Sequence, residues 1–294
     1  MPPRLIINAD DFGLTPGINR AILELHQAGV LTSATLMANG PAFDDAAAIA
    51  HANPTLGIGC HVVLTDGDPV SPPDTIPTLL APKTRHLRPS LIGFLRALLL
   101  NRITEADIER EAESQIQKLL TAGIRPTHLD THKHTHLFPQ VNRPLLRIAE
   151  RLHIPAIRNP FEQPWSLALN HGPRIRRIQV KLLGRLERAF HNQPQILTKK
   201  VLTPQGSLGV SATGDLTPES LAEILQAIPN TNETWELVCH PGYSDRDLDQ
   251  VATRLRRHRE IEREALLTCL PKRLALPNPL QLIHYGDLAN RSVE

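Results

Sequence analysis

Leu5-Ile6-Ile7-Asn8-Ala9-Asp10-Asp11-Phe12-Gly13 is the stretch that sets the fold. A short apolar run breaks into Asn and two carboxylates, and an amphipathic segment follows. The run reads as a buried strand. Residues 17–28 then read as a helix, because Ile18, Ala21, Ile22 and Leu25 recur at i, i+3, i+4, i+7 and Gly29 can stop it. The same unit repeats outward from there. Ser33 to Met37 is a second strand, Pro41 to Ala52 a helix, and Gly57 to Leu64 a third strand. Thr104 caps a helix running to Ala122, with Asp107 at N3, a stripe of Ile108, Ala112, Ile116, Leu119 and Leu120, and Gly123 as its close. Strands at 127–130 and 154–158 flank a helix at 140–152. Thr217-Pro218 opens another helix as N-cap and N1. Trp235 to Cys239 is a late strand, 245–268 is helical, and Leu282 to Tyr285 is the last strand.

Repeated strand–helix units predict a mainly parallel sheet covered by helices. About seven strands in one chain of 294 residues predict an α/β fold of TIM-like (β/α) barrel type with incomplete closure. An open doubly wound sheet is the competing architecture. The expectation is a single domain over 1–294. Two segments interrupt the pattern: a Pro-rich surface loop at 65–90, and an insertion or lid at 159–215.

Composition narrows the function. The 32 Lys and Arg nearly balance the 30 Asp and Glu, for a formal charge of +2, so there is no electrostatic case for nucleic acid or an anionic membrane. The apolar stretch Leu95 to Leu100 contains Arg96 and is far too short for a membrane span. Cys60, Cys239 and Cys269 form no CxxC pair, which predicts buried free thiols. Without a signal-peptide pattern at residues 1–7, the expected location is cytoplasmic. There is no Gly-x-Ser-x-Gly elbow, P-loop or His-Glu-x-x-His helix, and Gly206-Ser207-Leu208-Gly209 does not fit a dinucleotide fingerprint. The basic run Arg174, Arg176, Arg177, Lys181, Arg185, Arg188 fits a solvated helix face. So does the run Arg254, Arg256, Arg257, Arg259, Arg263, interspersed with Glu260, Glu262 and Glu264.

Four places put metal-competent residues directly after a strand, where sites of parallel α/β folds lie. They are Asp10-Asp11, His61, the run His128-Leu129-Asp130-Thr131-His132-Lys133-His134-Thr135-His136, and His240-Pro241-Gly242-Tyr243. In an extended segment Asp10 and Asp11 point to opposite faces and can do different jobs; a turn or capping pair is the plainer reading. Four histidines in nine residues alternate, so an extended chain would put His132, His134 and His136 on one face with His128 and Asp130. A solvated polar loop is the alternative. His61 and His240 taken singly are weak signals. Together the four places suggest three protein ligands of mixed Asp and His, with a coordination position left open for water. A carboxylate base and a histidine acid nearby would complete an amide or ester hydrolase.

These four motifs, in this order and spread over essentially the whole chain, resemble the YdjC-like carbohydrate deacetylases, which include chitooligosaccharide and hopanoid-associated deacetylases. The resemblance implies a TIM-barrel-like deacetylase related in mechanism to polysaccharide deacetylases. It implies one divalent metal on Asp11, His61 and His132, with Asp10 as general base and His240 as general acid. Two imidazoles and a carboxylate favour zinc by ligand type; the resemblance also allows magnesium. Asp130, His134, His136, Arg158 and Tyr243 are candidate substrate or supporting contacts. Trp165, Trp235, Tyr243 and Phe161 are the candidate platforms for sugar rings. The expected substrate is an N-acetylated amino sugar or short chitooligosaccharide, and a homodimer is left open. A metal-dependent esterase or phosphoesterase and a non-catalytic sugar binder are the alternatives.

Overall fold

Leu5-Ile6-Ile7 begins a strand longer than its apolar run. In the computed structural model, which describes residues 2–169 and 181–289, β1 spans Arg4–Phe12 and is buried from Leu5 onward. It sits mid-sheet, which is why polar Asn8, Asp10 and Asp11 can be inside it: strands cover both of its edges. On one edge β6 (Thr234–Cys239) runs in register from Arg4↔Thr234 to Ala9↔Cys239. On the other, β7 (Gln281–Leu282) covers the start and β2 (Ser33–Leu36) the end. β3 (Gly57–Val62) and β4 (Leu129–Thr131) extend the sheet beyond β2, and β5 (Gly206–Leu208) extends it beyond β6.

Every pairing is parallel. Along the main path the order is β4-β3-β2-β1-β6-β5, which advances around a ring without the reversal of a doubly wound sheet. The fold is therefore α/β, a curled parallel sheet forming an incomplete TIM-like barrel. The strand expected at 154–158 is reduced to the isolated bridges Leu129↔Ile157 and Ala156↔Leu202, and Glu162↔Ser207 carries the ring on to β5. Pro155 within this segment and Pro160 just beyond it lack the N–H that a full ladder needs.

The helices follow their sequence signals closely. α1 (Pro16–Gln27) is capped by Thr15, whose side chain accepts the Ile18 N–H, and it buries Ile18, Ala21, Ile22 and Leu25. α2 (Phe43–Ala52) starts two residues after Pro41. α3 (Leu91–Leu99), not anticipated as a helix, is capped by Ser90. α4 (Glu105–Thr121) has the Thr104 cap and the expected stripe, with Ile108, Ala112, Ile116 and Leu119 buried. α5 (Pro139–Arg151) and α6 (Pro218–Ala227), the latter with its Thr217 cap, also match. The helix expected over 245–268 is instead a short turn, Arg246–Asp249, followed by α7 (Arg257–Leu274).

Residues 65–90 are anchored to α4. Glu111 accepts the N–H groups of Val70 and Ser71, Asp107 accepts that of Thr78, and Ile76, Leu79 and Leu87 are buried. In the 159–215 segment, β5 is part of the sheet, a three-residue strand hidden in the sequence by Gly206 and Gly209. Lys181, Arg185 and Arg188 are exposed; Arg174, Arg176 and Arg177 lie outside the described residues. The three cysteines are free and buried, as expected. Among the described residues no helix is long and apolar enough to cross a membrane.

The barrel interior holds histidines as well as aliphatics. His128 stacks on Tyr285 with ring centroids 3.6 Å apart and 9° between planes. Only glycine fits opposite it, since a Cβ on Gly59 would stand 2.4 Å from the imidazole. Burial, with Arg158 nearby, keeps the His128 pKa well below the usual imidazole range. Burial and His134 do the same for His136. The unfolded chain binds these protons and the fold does not. Their stabilisation is therefore complete above pH ~6.5 and is lost as pH falls below it, by up to ~1.4 kcal/mol per pH unit for each ring. His128→Phe, which removes one titrating ring, is expected to flatten the acid limb of stability by about that amount. Urea denaturation of both proteins from pH 7 to 5 measures the difference; parallel curves would contradict it.

Candidate active site

At the C-terminal end of β1 the ladder slips between Ala9 and Phe12, and Asp11 adopts φ +65°. Aspartate tolerates this left-handed region better than bulkier side chains do. Asp10 and Asp11 consequently face different partners, as the alternation predicted, yet stay in one cluster. Asp10 receives a two-pronged hydrogen bond from Arg158, at 2.6 and 2.9 Å. Asp11 Oδ2 accepts from Arg259 at 2.6 Å. Its Oδ1 is buried, has no hydrogen-bond partner among the described residues, and faces two imidazoles.

The first imidazole is His61 on β3. The sheet register places it beside Asp130 on β4, and its Nδ1 lies 2.7 Å from Asp130 Oδ1. Donation from Nδ1 to that carboxylate leaves the Nε2 lone pair directed at Asp11. The second is His132, the first residue beyond β4. Here the extended geometry expected through His136 fails. The chain coils tightly over His132–Leu137, with φ +58° at Lys133 and +52° at His134. The histidines therefore do not share a face, because alternation lasts only as long as the strand does. His132 alone turns onto Asp11. His136 Nδ1 pairs with the Thr131 hydroxyl at 2.7 Å. His134 is half-buried, with its Nδ1 unpartnered among the described residues.

Asp11 Oδ1, His61 Nε2 and His132 Nδ1 lie 3.3, 3.4 and 3.7 Å from one another. Ligand atoms about 2.0–2.1 Å from a tetrahedral ion stand about 3.3–3.4 Å apart, so these three fit one cation. Asp10, His61 and Asp130 also cluster, but the Arg158 guanidinium already sits against both of those carboxylates. It contacts Asp130 Oδ2 at 2.5 Å and Glu236 Oε1 at 2.8 Å besides Asp10. Arg158 and Glu236 are both 0% exposed, and Glu236 is held further by the Tyr285 hydroxyl at 2.6 Å.

This packing sets the charges. Burial raises the Asp10 pKa, but Arg158 and then His61 outweigh it and hold the carboxyl far below its usual range. Asp11 is likewise lowered, with Arg259 and His132 overcoming burial. Burial alone would lower His61; Asp130, Asp10 and Asp11 push it up to about 9. His240, just past β6, goes the other way. Burial brings it down to about 4 despite the attraction of Asp10 and Asp11, so its ring is neutral at pH 7. Its Nε2 stands 3.7 Å from Asp10 Oδ2.

Some expectations need correction. Tyr243 is placed outside this cluster: its hydroxyl donates to Glu24 at 2.5 Å, and its ring lies between Arg20 and Arg263. Phe161 and Trp235 are buried in the core, with Phe161 against Phe190 and Trp235 against the partly buried Trp165. They offer no open face to a sugar. The late basic run is not wholly solvated either. Arg259 and Glu262 are 0% and 1% exposed, and both reach the site. Their spacing carried the signal: they share the helix face of Ala265, Leu266 and Leu270, which is buried. Glu236, inside the apolar-looking β6, and Tyr285, in a short turn after β7 where a strand was expected to run on, were also missed.

Arg158→Met would leave Asp10, Asp130 and Glu236 buried without their shared cation. The expected cost is about 3–5 kcal/mol of stability, the scale for breaking a buried ion pair, read as a lowered urea midpoint.

The chain matches the family model described as "YdjC-like protein" over residues 4–269. It is 30% identical to a carbohydrate deacetylase of Brevibacillus brevis over 285 residues, covering 97% of this chain and 99% of that one. It is 42% identical to a carbohydrate deacetylase of Geobacillus stearothermophilus over 157 residues, 53% of this chain and 59% of that one. Among solved structures, a protein of Enterococcus faecalis V583 named for cellobiose-phosphate cleavage superposes with a TM-score of 0.75 at 24% identity, covering 98% of this chain and 99% of that one. With the family's model spanning most of its length, this chain belongs to the YdjC-like family.

Proposed function

We propose that the protein is a metal-dependent hydrolase that removes the acetyl group from an N-acetylated amino sugar or short chitooligosaccharide. The observation that carries this reading is the convergence of Asp11 Oδ1, His61 Nε2 and His132 Nδ1 within 3.7 Å, beside a separate carboxylate and imidazole. The relatives named carbohydrate deacetylases support it.

A divalent ion held by Asp11, His61 and His132 would polarise the acetamide carbonyl and acidify a water. Two imidazoles with one carboxylate favour zinc; magnesium is the alternative. Asp10 accepts the water proton. Its Arg158 contact keeps it ionised at any working pH and also makes it a weak base, so the acidity of the water matters more than the basicity of Asp10. His240, neutral in the free site, would first take up a proton on Nε2, which stands 3.7 Å from Asp10 Oδ2, and then deliver it to the departing amine. Asp130 fixes His61, and Arg158 fixes both Asp10 and Asp130, so these two act on the machinery rather than the sugar. His136 is held by Thr131. His134 is half-buried, but its unpartnered Nδ1 is itself buried, so any sugar contact it makes falls to the rest of the ring. A binding protein would need neither Asp10 nor His240, which disfavours the non-catalytic reading.

Asp11→Asn and His132→Ala are expected to abolish metal binding and turnover together. Asp10→Asn is expected to keep the metal and lose about two to four decades of rate. Amine release from N-acetylglucosamine oligomers, run beside ester hydrolysis with and without chelator, checks both. Full activity of Asp10→Asn would remove its role as base, and turnover of esters alone would favour an esterase. Metal analysis of protein purified without chelator or a nickel column identifies the ion.

A further inference from the structure

α7 packs outside the sheet, yet two of its charged residues, one turn apart, extend into the strand ends. Arg259 donates from one terminal nitrogen to Asp11 Oδ2 at 2.6 Å, and its Nε donates to the Leu255 carbonyl at 2.9 Å. Its own carbonyl accepts the N–H of Gly242 at 3.2 Å. A Cβ on Gly242 would approach the Arg259 side chain to 3.0 Å, so the Pro241-Gly242 turn lies directly on the arginine. Glu262 Oε2 accepts the backbone N–H of His240 at 2.6 Å and stands 3.9 Å from its Nδ1. That ring nitrogen is buried and has no hydrogen-bond partner among the described residues. The imidazole therefore lies between two carboxylates, Asp10 on its Nε2 side and Glu262 on its Nδ1 side.

Fully burying an arginine and a glutamate is costly unless their partners require them there. An anchor for α7 alone could have been built from the leucines beside them. We propose that Arg259 and Glu262 are positioning residues of the site: Arg259 holds Asp11 so that Oδ1 faces the metal position, and Glu262 holds His240 with Nε2 toward the reacting groups. The Glu262 half rests on the deacetylase reading, because it acts through the general acid. The Arg259 half needs only the three-ligand site. Neither residue touches substrate.

The test uses the full-length holoenzyme with Arg259→Ala, Arg259→Lys, Glu262→Ala and Glu262→Gln. Metal dissociation constants come from competition with a chromophoric chelator, using zinc as the probe. Values of kcat and KM come from N-acetylglucosamine oligomers, and unfolding midpoints are recorded alongside. Arg259→Ala is expected to weaken zinc binding about 10- to 100-fold, the usual effect of removing a ligand's supporting partner, and Arg259→Lys to recover part of it. Glu262→Ala is expected to lose about 10- to 100-fold in kcat, with KM and zinc affinity within about twofold of wild type. Glu262→Gln keeps an acceptor for the His240 N–H but no charge facing Nδ1, so it should fall between. Wild-type zinc affinity in Arg259→Ala would overturn the proposal. So would wild-type kcat in Glu262→Ala, or a parallel loss of kcat, KM and zinc that marks a folding role alone. Should Glu262→Ala not fold, wild-type kcat in Glu262→Gln overturns it. If wild type releases no amine from these oligomers, the deacetylase reading fails, and the zinc titrations of the two Arg259 variants still decide the proposal.

Discussion

One buried guanidinium organises the open end of the barrel. Arg158 contacts Asp10, Asp130 and Glu236 at once, between 2.5 and 2.9 Å. These carboxylates come from β1, β4 and β6, so the arginine ties β4 to a neighbouring pair of strands that it does not border in the sheet. Without it, three acids would share a dry volume, and at least two would have to be neutral. With it, Asp10 remains ionised beside the metal position and Asp130 can accept from His61. A cation that reaches three strands at once also sets their relative heights, and thus whether the metal-facing atoms meet.

The charge count of the cluster explains why a cation is still wanted. Asp10, Asp11, Asp130, Glu236 and Glu262 are opposed within the described residues by Arg158 and Arg259. Burial pushes Glu262 up to about 7 even though the His240 N–H and Arg259 favour its charged form. For His61 the carboxylates outweigh burial, and Asp130, Asp10 and Asp11 draw it up to about 9. Asp11 Oδ1, which faces His61 and His132, and Glu262 Oε1 are the buried carboxylate oxygens of this cluster with no donor among the described residues. A divalent ion held by Asp11, His61 and His132 would offset part of this negative charge.

The helices and most strands were legible because their signals are local. Thr104 and Thr217 each cap the helix they were expected to cap, and the apolar stripe of α1 is buried as its spacing required. Failures came where the chain leaves regular geometry. The histidine run was read as extended, but after Thr131 the strand loses its neighbour and coils. Residues 154–158 carry strand-like side chains, but Pro155 among them and Pro160 beyond cannot complete a ladder. β5 has three residues and a glycine on either side of Ser207-Leu208. In each case the deciding factor is which backbone groups find partners, and a side-chain pattern does not encode that.

For the site, the sequence alone offered residues able to carry ligand and acid–base chemistry, each near the C-terminal end of a strand. Strand ends gather on one side of any parallel barrel, whatever the lengths of the connections. Only the tertiary structure decided which of the five histidines near the strand ends face Asp11, that Arg158 neutralises the second Asp–His cluster, and that Arg259 and Glu262 belong to the site at all. An alternating row of Arg and Glu has the same sequence signature in water as in a core. The difference arises when α7 docks with that face inward, bringing Arg259 to a residue 248 positions away. Contacts at such separation depend on the closed arrangement of every strand between them, and no local pattern records it.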